Sequence, residues 1–385
     1  MATATDLVAR SGDLKRELVE YAQQPRYHRV FREVLRTQGA DLAGVDEQRL
    51  TMFFDHFVLQ HRLRNGKTVV EQFVAARPDL PEAERELLLG WRDVVEGVFA
   101  VQRREGEALL VENLVDDLTY QVRSNMGPAV FRQVPRRSFL FARLVPIGAE
   151  WLISGAITIF PARDRDRVYR AAAELALHQP ALVFRNPDKL ARGWELQRAE
   201  RDRFVRFFGT DMVIIPGDQF AEQMRKYQES SHEELLATLP ARRWPRRRRT
   251  PTPVPTFDAG PDMADSETVG VIYDEVEGLS FYAELGLVEA VFADPQLLRQ
   301  RRYKQHLLDY LDDDTVSPLP FRRLAGRDPA KASVLFQKLL RRPRFDWGRD
   351  GESLLRERKA EFFDRPPQPS VTPISDRLTK YVVRP

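Results

Sequence analysis

The 385 residues are 43% hydrophobic and 30% charged, the balance of a globular chain rather than a disordered one, and the length suggests two or three domains at roughly 150 residues each. A net charge of +3 from 60 basic and 57 acidic residues leaves no global attraction to polyanions, so any basic surface must come from local segregation. Cysteine is absent, which excludes disulfides, thiolate metal centres and cysteine nucleophiles. No window approaches the roughly 18 apolar residues of a membrane span, and the opening MATATDLVARSGDLKREL interleaves acids and bases. A cytoplasmic chain without a membrane partner is expected.

From Asp6 to Arg36, apolar residues at three- and four-residue spacing predict helix, with Pro25 as a break or kink. DEQRLTMFFDHFVLQHRL predicts a second helix, with Asp46 as its N-cap and the Asn65-Gly66 pair as the turn beyond it. TVVEQFVAARP and LPEAERELLLGWRDVV predict two more, the latter with Pro81 near its first turn, where a missing N–H costs least. The period then changes. VVEGVFAVQRR, ALLVENL, TYQVRS, SFLFARLVP and EWLISGAITIFP are short and β-branched or aromatic, with hairpin turns expected at Glu105-Gly106 and Ile147-Gly148. Strands so closely spaced predict a small closed sheet of the SH3 or OB kind.

Helices return at ARDRDRVYRAAAELALH and PDKLARGWELQRAERDRFVRFF, followed by a buried strand in TDMVIIPG and a helix from about Asp218. Five prolines from Pro240 to Pro255 (Pro240, Pro245, Pro251, Pro253 and Pro255) exclude helix there. ETVGVIYDEVEGLSFY predicts two strands about Glu277-Gly278, one of which has the pattern to pair with DMVIIP across that stretch. Amphipathic helices follow up to GESLLRERKAEFF. The last stretch reads as a proline-broken tail prone to disorder. The expected class is α+β: a helical region over 1–92, a small β-barrel over 93–161, a mixed helical region over 162–239, a Pro/Arg-rich flexible linker over 240–266, a mainly helical domain over 267–364 and a tail over 365–385.

No phosphate-binding G-x-x-x-x-G-K-[ST] loop, dinucleotide G-x-G-x-x-G after a strand, or G-x-S-x-G elbow is present. His56 and His61 lie five apart on one helix, off the i, i+4 spacing of a metal pair, so no metal and no cofactor is expected. Three acid clusters occur: Asp274, Glu275 and Glu277; Asp309 with Asp312, Asp313 and Asp314; and the pair Asp116-Asp117. Asp274, Glu275 and Glu277 suit either a turn or a metal-assisted hydrolase, and Asp312–Asp314 fall where a helix should end, against its dipole.

The basic signals are clearer. Between Asp117 and Glu150 there is no acid, yet Arg123, Arg132, Arg136, Arg137 and Arg143 occur among aromatics that include Phe139, Phe141 and, just beyond, Trp151. Small barrels bind single strands with that combination of positive groove and stacking platform. The competing expectation is that the aromatics fill the barrel core. Arg242, Arg243, Arg246, Arg247, Arg248 and Arg249 around Trp244 could add nonspecific phosphate affinity, although a charge run beside prolines more often serves as a solvated tether.

FFDHFVLQHRL, NGKTVVEQFVAARPDLPEAERELL, ALLVENLVDDLTYQV and SFLFARLVPIGAEWLISGAITIFP, spanning about 52–161, resemble an uncharacterised bacterial family often associated with SEC-C zinc-binding motifs. The resemblance implies a fold rather than an activity. The motif's cysteines are missing here, so zinc docking does not carry over. Where that family has a Gly-Asp turn before its FARLVP strand, this chain has PRRS, a more basic barrel edge. The functional expectation is non-enzymatic nucleic-acid binding through the barrel. The alternatives are a protein-interaction adaptor docking through helices such as KASVLFQKLL, or a metal-dependent hydrolase at the first acid cluster.

Overall fold

The computed structural model describes residues 4–37, 46–238, 263, 265–364 and 366–382. They form two compact units, one up to Lys189 together with the segment from Thr372 on, the other from Leu190 to Val371. The class is α+β, with helices at both ends of the chain and sheets between.

In the first unit the predicted opening helix is two: α1 (Ala4–Ala22) and α2 (Pro25–Thr37), with Pro25 placed where its missing N–H costs nothing. Asp46 caps α3 (Glu47–Leu59), its side chain accepting the Arg49 N–H at 2.8 Å. Thr68 and Glu71 form a reciprocal capping box on α4 (Val69–Ala75), and α5 (Glu82–Gly90) follows Pro81. Their apolar faces share a core with Phe57, Phe73, Leu88 and Trp91 at its centre.

The five predicted strands form β1 (Val95–Glu105), β2 (Ala108–Asn113), β3 (Thr119–Arg123), β4 (Phe139–Ile147) and β5 (Glu150–Phe160), closed into a barrel in the order β1-β2-β3-β5-β4. β1 closes on β4 antiparallel, and β3 lies parallel to β5. This connectivity is that of an OB barrel, which resolves the SH3-or-OB expectation. Gly106 and Gly148 take φ of +58° at the two hairpin turns, a conformation open to glycine without strain. Leu140, Ala142 and Leu144 fill the interior with Phe99, Val111 and Tyr120. Phe139 and Phe141 lie on the outer face instead, packed on α6 (Arg165–His178). The alternation was legible, but which face looked inward was not.

The described residues of the tail, 366–382, do not behave as a disordered segment. Leu378, in a short helix Asp376–Thr379, is fully buried against Val168 and Ala172 of α6, and Arg377 pairs with Glu112 and Asp117. Leu378, with Ile374, Tyr381 and Val382 packed on the same cluster, and two ion pairs order a stretch whose composition alone argues against order.

The second unit is built on an antiparallel sheet of β6 (Met212–Pro216), β7 (Thr268–Asp274) and β8 (Gly278–Ala283), in that order. Strands on either side of residues 240–266 in sequence are therefore direct neighbours, with Met212 opposite Ile272 and Ile215 opposite Val269. Val269, Val271 and Tyr273 pack on α8 (Pro187–Phe208) and α9 (Gly217–Thr238) through Phe204, Phe220 and Met224. Ile272 and Tyr282 face the C-terminal helices 285–293, 301–312, 319–327, 329–340 and 347–358. The layers are α/β/α. β7, covered on both faces, is consistently apolar.

Candidate nucleic-acid interface

Arg143 projects from the outer face of β4 into a buried polar cluster rather than into solvent. Its side chain is 3% exposed, and its Nε donates to Asp55 Oδ2 at 2.9 Å. Nη1 pairs with Glu96, and Nη2 donates to Gln60 Oε1 at 2.6 Å. Asp55 also accepts from Lys15 Nζ (2.5 Å) and Ser154 Oγ (2.6 Å). Burial works to raise the Asp55 carboxyl, but Lys15 and Arg143 outweigh it and hold the group at about 2. The expectation that Arg143 contacts nucleic acid is corrected here: its donors are consumed inside the fold, where they fix α3 to the barrel.

Arg123, on β3, is also neutralised. Glu150 and Glu107 both pair with it. It stands on the outer β2–β3 surface that OB barrels use for oligonucleotides, so that face carries no surplus charge at this position. Trp151 is half-buried, set edge-to-face on Tyr120 with centroids 5.2 Å apart and covered by the Arg185 guanidinium at 5.7 Å. It is not an open stacking platform.

The other three barrel arginines stand differently. The connection from β3 to β4 forms a 3₁₀ turn at Pro128–Gln133, whose Phe131 and Val134 plug the barrel end. Arg132 is exposed on that turn. A tight turn follows, in which the Ser138 N–H donates to Pro135 O at 3.3 Å and Arg137 takes φ of +64°. Positive φ at the third turn position is normally a glycine site. Here it holds Arg136 and Arg137 at an exposed tip. The Val101 N–H donates to Ser138 O at 3.0 Å, bringing β1 alongside, and exposed Arg104 donates to Phe131 O. None of Arg104, Arg132, Arg136 and Arg137 has a carboxylate within 4.0 Å among the described residues. Arg104 was missed in the sequence because strand pairing, not sequence proximity, places it here. The arginines at 242, 243 and 246–249 and Trp244 lie outside the described residues.

The acid clusters are structural. The Asp274 carboxylate accepts the N–H groups of Val276 (2.8 Å) and Glu277 (3.1 Å) and pairs with Arg323 at 2.7 Å. Glu275 turns to Arg201, and Glu277 accepts from Ser317 Oγ at 2.6 Å. No group of three or more acids or histidines is arranged to hold a metal ion among the described residues. The acids at 312–314 have a different explanation. Lys359, 2% exposed, donates to the carbonyls of Tyr310 (2.8 Å) and Asp313, and Arg358 pairs with Asp312. A buried cation from another helix offsets the helix end that these acids disfavour. Burial pushes the Lys359 ammonium down to about 8, against the pull of Asp313 and its neighbours. The apolar stripe of KASVLFQKLL is spent on the chain's own core, with Leu335, Phe336 and Leu339 buried and Val334 exposed.

Fold and site together define an OB-topology barrel protein with helical cover and a basic edge. Residues 9–181 match the Family of unknown function (DUF7986), a stretch that begins within α1, runs through α6, takes in the whole barrel and contains the 52–161 segment. No curated protein and no solved structure matches the chain. Among the described residues, no helix is long and apolar enough to cross a membrane.

Proposed function

We propose that this protein binds single-stranded nucleic acid without catalysing a reaction, through the basic end of its barrel. The observation that carries this reading is four exposed arginines, Arg104, Arg132, Arg136 and Arg137, left without carboxylate partners beside the β3–β4 connection of an OB barrel. Unpaired guanidinium groups on one edge supply the sequence-independent attraction to phosphates, and the planar fork suits their oxygens. Met126, 80% exposed in the same connection, adds apolar contact for a base. The β2–β3 face contributes shape rather than charge. Arg143, Arg123 and Trp151 take no part.

The test is anisotropy titration of labelled single-stranded DNA and RNA at low and high salt, with wild type against R132A/R136A/R137A. Binding that weakens with salt and is weaker in the triple variant supports the reading. Absence of binding at low salt removes it. The adaptor reading has less support, because its proposed docking stripe is buried.

A further inference from the structure

A second concentration of unpaired charge on the described first unit lies away from the barrel. A cleft of about 720 Å³ opens between α2 and the loop joining α3 to α4. Arg26 and Arg29 line it from the helix, Arg62 and Arg64 from the loop, against one carboxylate, Glu33. None of the four arginines has an acidic partner within 4.0 Å among the described residues. The local excess is therefore three positive charges, held in a concavity rather than spread over a convex surface.

The arrangement is pre-formed. The Arg26 guanidinium sits 4.8 Å from the ring centroids of both Tyr21 and Tyr27, which restrains it without neutralising it. Arg62 Nη1 donates to Gly66 O at 2.8 Å, tying the arginine to the turn of its own loop. Tyr27 is buried and its hydroxyl donates to Gln72, so it offers no open face for a base. Recognition here must be electrostatic, with Asn65 on the rim as a neutral hydrogen-bonding group.

We propose that this cleft binds a small ligand bearing two adjacent phosphates, a diphosphate or the phosphate chain of a nucleotide. The volume is in the range of small-molecule sites, about 300–1,000 Å³. A single carboxylate would offset one of the three excess charges. A terminal phosphoryl group carries roughly 1.5 to 2 negative charges near neutral pH, so two in sequence match the whole excess. Arginine forks bind such oxygens two at a time. Glu33 opposes the ligand and limits its affinity.

Isothermal titration of the full chain with pyrophosphate, orthophosphate, ATP and a single-stranded oligonucleotide tests this. Pyrophosphate and ATP should bind, orthophosphate more weakly. R29A/R62A should lower the pyrophosphate affinity at least about tenfold, since hydrogen bonds to charged groups are strong, and E33Q should raise it. R132A/R136A/R137A should leave it unchanged, which keeps this inference separable from the barrel reading. No pyrophosphate binding at low salt, equal binding by R29A/R62A, or a response to the oligonucleotide alone would overturn the assignment.

Discussion

Asp55 of α3 and Arg143 of β4 meet at 2.9 Å with side chains only 2% and 3% exposed, and Lys15 of α1 reaches the same carboxylate. Three elements distant in sequence are fastened by one buried acid. Removing one partner of such a pair strands the others without a counter-charge, at a cost of about 3–5 kcal/mol. Asp55→Asn should lower the unfolding free energy extrapolated from urea titration by that amount. Arg143→Lys should also destabilise, because an ammonium cannot serve Asp55, Glu96 and Gln60 at once. A folded Arg143 variant should retain oligonucleotide affinity.

Acid should expose the same cluster. Asp55 is held at about 2 in the folded chain, below an unfolded value near 3.9. A depressed carboxyl contributes stability that is complete above the unfolded value and is lost as pH falls through the folded one. The contribution should therefore disappear between about pH 5 and pH 2. Urea unfolding across that window should fall less steeply in Asp55→Asn than in wild type.

At the barrel edge, the triple variant R132A/R136A/R137A should change the salt dependence as well as the affinity. Each phosphate contact on a single strand contributes about 0.7 to the slope of log K against log salt, so three lost contacts should flatten it by about 2. Anisotropy at four or more salt concentrations measures this. An unchanged slope would place the contacts elsewhere.

Arg137 is strained by its φ of +64°. The left-handed region costs a side-chain-bearing residue about 1–2 kcal/mol, and glycine's added unfolded-state freedom returns about 0.5–1 of that. Arg137→Gly should thus be slightly more stable than wild type by urea unfolding while binding oligonucleotide less tightly. Gain in both would indicate that the arginine serves no ligand.

Lys359 gives a pH signature of the same sign as Asp55, but in the alkaline range. Its folded value near 8 lies below the unfolded 10.4, so the native state binds fewer protons between those values and this group's penalty is relieved as pH rises. Between pH 8 and 9.5, the urea midpoint of wild type should rise relative to Lys359→Met. Parallel curves would show that burial does not depress the ammonium.

Much of the architecture was legible in the sequence. The change from three-and-four spacing to alternation near Val95 marked the passage from helix to barrel, and the Glu105-Gly106 and Ile147-Gly148 steps marked its hairpin turns. Pairing of DMVIIP with VGVIYD followed from two apolar runs that each needed a neighbour. The cleft at α2 also left a trace: PRYHRVFREVLRT has four arginines to one acid, and residues 56–70 contain no acid at all. The tail's fully buried anchor, Leu378, left none, because a leucine in a proline-rich stretch is indistinguishable from a solvated one until its pocket exists.

What the sequence determined by itself was the periodicity of each segment and the places where acids are missing, since both are properties of neighbours along the chain. Only the tertiary structure decided which arginines remain charged toward solvent. Arg143 meets Asp55 across 88 positions and Glu96 across 47, whereas Arg136 and Arg137 meet no acid among the described residues. Neutralisation acts over a few ångströms of space. A stretch free of acids in sequence can therefore be closed on both sides by acids brought to it in the fold.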